Sequence, residues 1–322
     1  MPEWLVERGI GETRAVLVDG DEIVEARIEL DGAVTAGTTV RGRLTSAGAN
    51  GRNALVMDER GTEYLLPRGA AGVAEGATVT IEVTRERIPG GEPWKRPLAR
   101  MAGGEAAIAQ PLVERLGGRG LSFPGASDRL GELGWDELIE EAWSGTVRFE
   151  GGELRISPTP AMTLIDVDGY LPPVELAVLG ATEAAHAIRR LDIGGSIGVD
   201  LPTSGNKAAR QRAAEAIDSV LPQPFERTAV NGFGFVQIVR PRLRPSLVEL
   251  AQDRTGFQAR ALLRRIAFEP AGPKRLVAHP AVISLLRTRG DWIAELARQV
   301  GGAIQLRADA SLPMSGGYAE KA

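Results

Sequence analysis

Thr163-Leu164-Ile165-Asp166-Val167-Asp168-Gly169 decides how this chain is read. An apolar run ending in two carboxylates two residues apart reads as a strand whose alternation puts both aspartates on one face. A second such run, Gly195-Ser196-Ile197-Gly198-Val199-Asp200, also ends in an aspartate, and Thr182–Arg190 between the two reads as a helix. If the strands are neighbours, three carboxylates converge at their C-terminal ends, where open α/β sheets place their ligands. Clustered carboxylates repel one another unless a hard cation neutralises them, and Mg²⁺ or Mn²⁺ suits an all-oxygen site. Such an ion polarises a phosphodiester and activates water without a histidine or a cysteine. The plainer alternative is that these aspartates only close turns. A calcium loop starting at Asp166 fails, because its twelfth position falls on Ala177 and Pro172-Pro173 interrupts it.

Composition narrows the chemistry further. The 322 residues are 43% hydrophobic and 25% charged, and none is cysteine. That removes disulfides, thiolate zinc sites, iron–sulfur clusters and cysteine nucleophiles. The only histidines, His186 and His279, are too few for a histidine metal cluster and read as surface or helix-packing residues. Met1-Pro2-Glu3-Trp4-Leu5-Val6-Glu7-Arg8 has no apolar leader, and no apolar run reaches membrane-spanning length; the expectation is a soluble, cytoplasmic protein with no membrane partner. The net charge of −4 argues against nucleic acid, yet it hides a polarised chain. Residues 201–300 hold 16 Lys+Arg against 8 Asp+Glu, a local +8, and the remainder carries −12.

Outward from the acidic strands, Thr13–Glu29 reads as strand, tight turn at Asp19-Gly20-Asp21, and strand. Short strands at Thr39–Leu44, Asn53–Asp58, Glu63–Leu66 and Thr78–Thr84, parted by glycine-rich turns, suggest a small closed barrel of the OB type ending near Pro89-Gly90-Gly91. Glu105–Leu116, Trp135–Trp143 and Asn206–Val220 read as helices, and Leu154–Ile156 and Phe235–Val239 as strands. The tail from Gly256 reads as a small α/β subdomain. Pro202-Thr203-Ser204-Gly205-Asn206-Lys207, followed by Arg210, is a candidate phosphate cradle at a helix N-terminus; an ordinary cap is the plain alternative. It is not a Walker loop, since Asn206 follows Gly205. Arg240-Pro241-Arg242-Leu243-Arg244 alternates cations that on a strand would share a face and track phosphates. On the barrel, Arg41, Arg43, Tyr64 and Lys95 are the stacking or basic candidates.

The run Gly151-Gly152-Glu153-Leu154-Arg155-Ile156-Ser157-Pro158-Thr159-Pro160-Ala161-Met162, continuing into Thr163–Asp168, resembles the strand-and-metal motif of the ribonuclease E/G family. That motif follows the pattern GG-x-(I/L)-x-I-x-x-T-x-A-(L/M)-x-x-I-D-(V/I)-N. The similarity continues through Ala181–Ala185, Gly194–Asp200, Asn231–Val236 and Arg240–Leu247. The opening strand pair, with a barrel after it, looks like the family's beginning. The resemblance implies a Mg²⁺-dependent endoribonuclease that cuts single-stranded RNA with a metal-activated water and leaves 5′-monophosphate ends. Asp166 and Asp200 fall on the metal-binding positions, and Asp168 stands where the family carries a water-orienting asparagine.

Two departures mark a trimmed relative. Residues 101–134 are too short for the family's 5′-sensor domain, and Leu250–Phe257 lacks cysteine where the family has a CPxCxG zinc link. No zinc is therefore expected, and a homodimer, if formed, is not zinc-linked. The expected architecture is α+β or α/β, a mixed-sheet nuclease core with an inserted OB-type barrel and a small C-terminal α/β subdomain. Its parts are 1–31 as N-terminal strands of the core, 32–100 as the OB domain, 101–150 as a shortened connection and helix, 151–250 as the metal-binding catalytic domain and 251–322 as the subdomain. A non-catalytic RNA-binding protein that keeps the ribonuclease fold is the alternative from another class. A metal-dependent phosphoesterase unrelated to that family is a third.

Overall fold

The computed structural model of the chain describes residues 1–90, 95–203 and 205–322; Gly91 at the expected barrel end and Ser204 in the expected cradle lie outside them. The chain crosses between two compact units, one made of Met1–Asp31, Leu112–Ser144 and Leu250–Ala322, the other of Gly32–Pro111 and Gly145–Glu249. The first unit opens with β1 (Glu3–Arg8), β2 (Glu12–Asp19) and β3 (Glu22–Leu30). The second begins with β4 (Thr39–Ser46), β5 (Ala54–Asp58), β6 (Glu63–Leu66), β7 (Thr78–Arg85) and β8 (Leu98–Met101). Back in the first unit follow α1 (Leu112–Leu116), β9 (Arg119–Leu121), α2 (Arg129–Glu132) and α3 (Trp135–Ser144). Next come β10 (Thr146–Phe149), β11 (Gly152–Pro158), β12 (Thr163–Gly169), α4 (Pro173–Arg190), β13 (Gly195–Asp200), α5 (Lys207–Val220), β14 (Glu226–Arg227), β15 (Phe235–Arg240) and α6 (Leu247–Leu250). The last stretch holds α7 (Arg254–Ala267), β16 (Lys274–Ala278), α8 (Pro280–Thr288), α9 (Gly290–Val300), β17 (Ile304–Ala308) and β18 (Tyr318–Lys321). Among the described residues no helix is long and apolar enough to cross a membrane.

The second unit carries a six-stranded sheet in the order β10-β11-β12-β13-β15-β14. Its β12–β13 pair is parallel, with α4 between them in sequence, and the other pairings are antiparallel. Alternate residues Leu154, Ile156, Ile165, Val167, Ile197, Val199, Val236 and Ile238 are buried on one face. α4 lies against β11 and β12 and packs along α5. Alanines line its buried side, and Gly180 brings it close to β12, where a Cβ would stand 2.4 Å from Val167 Cγ1. Each buried Val, Ile or Leu contributes about 1.5–3 kcal/mol. That total holds the sheet's opposite face, which carries the polar residues, in register.

The helix is longer than the period predicts. Pro172-Pro173, read as an interruption, forms its start, where a missing N–H costs no hydrogen bond. In the same unit β4-β5-β6-β8-β7 closes into a barrel, with β6 and β8 parallel. That five-strand order matches an OB-like barrel. The barrel extends past residue 91, because β8 closes it. The expected helix from Glu105 shrinks to α1: Ala107 pairs with Thr39 as extended chain, and Pro111 precedes the helix start.

The first unit contains the sheet β3-β2-β1-β9 and the sheet β17-β16-β18. Charge runs through its interior. Arg14, Glu7, Glu12, Arg260 and Arg264 are all buried. Arg14 donates to Glu7 Oε1 and Glu12 Oε1, both at 2.8 Å; Arg260 donates to Glu12 Oε2 at 2.7 Å. Arg264 donates to Glu7 at 3.1 Å and pairs with Asp128, the residue that caps α2. Removing one member of such a buried network leaves a partner's charge unpaired, which costs about 3–5 kcal/mol. Replacing Arg264 with Met is therefore expected to lower unfolding stability by about that amount. Urea denaturation followed by circular dichroism measures it.

Candidate functional site

The parallel pairing sets Asp166 opposite Asp200 and Leu164 opposite Gly198. On the other side of β12, the register sets Arg155 opposite Asp166 and Glu153 opposite Asp168. Directly paired residues share a face of a sheet. The neighbours Ile165, Val167 and Val199 face the helices, so the three aspartates stand on the open face, and all three are exposed. Of the expected trio, the register brings Asp166 and Asp200 side by side, and Asp168 lies two residues further along β12 on the same face.

Their electrostatics follow. The carboxyl of Asp166 is pushed above the ordinary aspartate range, first by partial loss of solvent, then by repulsion from Asp168 and Asp200; Arg155 works against the shift. Among the described residues no three His, Asp or Glu side chains draw close enough to enclose a metal ion. The site is thus an open pair, Asp166 and Asp200, with Asp168 one step along the strand, rather than a closed cage. Open carboxylate pairs suit Mg²⁺, which keeps several waters and takes one or two carboxylates alongside substrate phosphates.

Arg155 was not among the expected site residues. It donates through Nε and Nη2 to Glu153 Oε1 at 3.0 and 2.8 Å, and Glu153, Asp168 and Asp166 all favour its charge. The signal was in the sequence: Glu153 and Arg155 alternate on β11 with the parity that faces the acids.

Past Asp200 the chain turns back onto the 231–234 turn. Leu201 N–H donates to the Gly234 carbonyl at 3.2 Å, and the Thr203 hydroxyl donates to the Phe233 carbonyl at 2.9 Å. Gly234 has φ +94°, and a Cβ there would stand 2.0 Å from the Leu201 oxygen, so only glycine permits this lacing. Asn206 then caps α5, accepting from Ala208 N–H at 2.9 Å. Lys207 is exposed and Arg210 half-buried, and among the described residues neither has an ion-pair partner. The described part of the candidate cradle is a capped helix start with available cations.

Other expected contacts are used by the fold itself. Tyr64 is 0% exposed in the barrel core, and its hydroxyl donates to Asp58 Oδ2 at 2.9 Å. Burial and that carboxylate raise the phenol's pKa. Tyr64 is therefore a core residue and cannot stack on a base. The arginine row fails for a related reason: β15 stops at Arg240, before Pro241, so strand alternation does not extend along it. Arg240 donates to the carbonyls of Ile188 and Ile193, Arg242 pairs with Glu249, and Arg244 pairs with Asp192 at 3.2 Å. Lys95 Nζ donates to the Pro160 carbonyl at 3.1 Å. Arg41 and Arg43 are exposed on β4, and Arg43 borders a shallow groove of about 520 Å³ shared with Thr45, Met57 and Asp58. His279 caps α8 through Nδ1, and His186 is exposed on α4.

No protein-family model matches this chain, and no curated protein sequence is significantly similar to it.

A folded-state pKa above the unfolded 3.8 means that ionised Asp166 opposes folding, a penalty absent below pH 3.8 and complete once pH passes the folded value. Asp166→Asn is thus expected to raise the melting temperature at pH 7, by no more than about 4 °C for so exposed a group, and not at pH 3. Scanning calorimetry at both pH values measures the difference.

Proposed function

We propose that this chain is a Mg²⁺- or Mn²⁺-dependent endoribonuclease acting on single-stranded RNA and leaving 5′-monophosphate ends. The observation that carries the reading is the register that pairs Asp166 with Asp200 on an open sheet face. Asp166 and Asp200 would hold the ion, and the raised proton affinity of Asp166 is what an added dication would relieve. When bound, the ion supplies Lewis acidity and lowers the pKa of a water. Asp168, next along the same face, would accept a hydrogen bond from the attacking water and orient it. Lys207 and Arg210 would attract the phosphates on either side, and the OB-like barrel of the same unit offers Arg43 as a further contact. The resemblance to the ribonuclease E/G family supports the substrate class.

Arg155 favours a second reading. A cation already faces Asp166 across β11, so part of the charge that a metal would neutralise is met by the chain itself. On that reading the protein binds RNA without cutting it.

Incubation with a labelled single-stranded oligoribonucleotide, with and without Mg²⁺, separates the two. Cleavage that requires Mg²⁺ and gives 5′-phosphate ends is expected. Asp200→Asn should lower it by more than the roughly 10–100-fold that loss of an outer-shell partner costs a metal site. RNA binding without cleavage favours the second reading, and cleavage that survives Asp200→Asn rules out the assigned site.

A further inference from the structure

Beside the carboxylates stand two large, almost bare aromatic side chains. Tyr170 and Phe233 are each 82% exposed. Tyr170 follows Asp168 by two residues, just past the end of β12. Phe233 precedes by two residues Phe235, the register partner of Asp200. β12 and β15 lie on either side of β13, and both attachment points lie beyond the Asp166–Asp200 pair, past the end of β12 and before the start of β15.

Neither backbone position is loose. Tyr170 N–H donates to the Gly151 carbonyl at 3.1 Å. Phe233 N–H donates to Asn231 Oδ1 at 2.9 Å, and its carbonyl accepts from Thr203. On the other side of the acids the open face is apolar: a Cβ on Gly198 would stand 2.6 Å from the Phe235 ring and 3.0 Å from Leu164. Packing does not account for rings this exposed. A protein docking over both would have to strip water from Asp166, Asp168 and Asp200, a large cost in a region that interface centres keep free of charge. Flat, stackable bases carried on a phosphate backbone fit the pattern instead, with rings meeting bases and the acids lying along the phosphate line.

We infer that Tyr170 and Phe233 are stacking platforms for unpaired bases on one side of the phosphodiester at Asp166 and Asp200. The inference rests on the nuclease reading for its site and deepens it by naming what selects single strands: in a duplex, bases are stacked and paired, and their faces are not available to these rings.

Fluorescence anisotropy with a short labelled single-stranded oligoribonucleotide, in the absence of divalent ions, tests this without cleavage. Tyr170→Ala and Phe233→Ala should each weaken binding about tenfold or more. Tyr170→Phe should bind like wild type, and Tyr170→Leu like the alanine variant. Because stacking displaces no counterions, the salt slope of affinity should be unchanged in both alanine variants, whereas Lys207→Ala should flatten it by about 1. A duplex of the same sequence should compete poorly. Alanine variants that bind as tightly as wild type would overturn the inference, as would Tyr170→Leu matching Tyr170→Phe. If both rings prove necessary for binding and Mg²⁺ brings no cleavage, the platforms stand and the nuclease reading falls. If cleavage occurs and the rings are dispensable for binding, the opposite holds.

Discussion

The parallel pairing of β12 with β13 is the constraint on which the candidate site depends. It holds two aspartates on adjacent strands, about 4.8 Å apart, where two like charges repel by roughly 1 kcal/mol even in bulk water. The aspartates cannot escape by sliding. A one-residue slip of β12 would send Ile165 and Val167 into solvent and Asp166 and Asp168 under α4. Burial of the apolar face therefore enforces the repulsion on the polar one. The raised proton affinity of Asp166 comes first from partial loss of solvent and then from that repulsion. A dication held as proposed would relieve that cost.

How much of this could be read from the residues depended on whether local pattern or partner choice set the outcome. Period-two alternation revealed β12 and β13 and the shared face of their acids, because burial on one side of a sheet writes itself directly into sequence. Turn glycines revealed the barrel strands for the same local reason. β8, which closes that barrel, was hidden: Leu98-Ala99-Arg100-Met101 is too short to show a period, and its identity as a strand comes from pairing with β6 and β7. β1 was hidden because its charges looked solvated. Glu7 is buried, and its partners Arg14 on the next strand and Arg264, distant in sequence, make that tolerable. Tyr64 misled in the opposite sense, since an aromatic near a binding barrel looks the same in sequence whether it points in or out.

The polarised charge count shows the same limit. The +8 of residues 201–300 suggested a basic field beside the acids. Much of it is spent internally: Arg260 on Glu12, Arg264 on Glu7 and Asp128, Lys274 on Glu269, Arg242 on Glu249. Local excess charge counts side chains without their partners, and arginine, with its rigid fork of donors, is the residue best suited to be consumed as an internal strut. What remains available near Asp200 is a short group at the start of α5, with Lys207 first.

The internal use of these cations bears on how an anionic chain would be held. Nucleic-acid affinity built on phosphate contacts grows with the number of charges neutralised, and the molecule as a whole carries a net charge of −4. Exposed carboxylates at the centre of the site oppose an anion further. Two features of the open face answer that opposition in different ways. A dication at Asp166 and Asp200 would neutralise that pair, and it would do so at the point where the backbone would be cut. The apolar surface of Leu164, Phe235 and the two exposed rings would add attraction that salt does not screen, and that attraction would discriminate by the availability of base faces rather than by charge. A site assembled this way would recognise unpaired segments first and backbone charge second, the reverse of what a basic groove does.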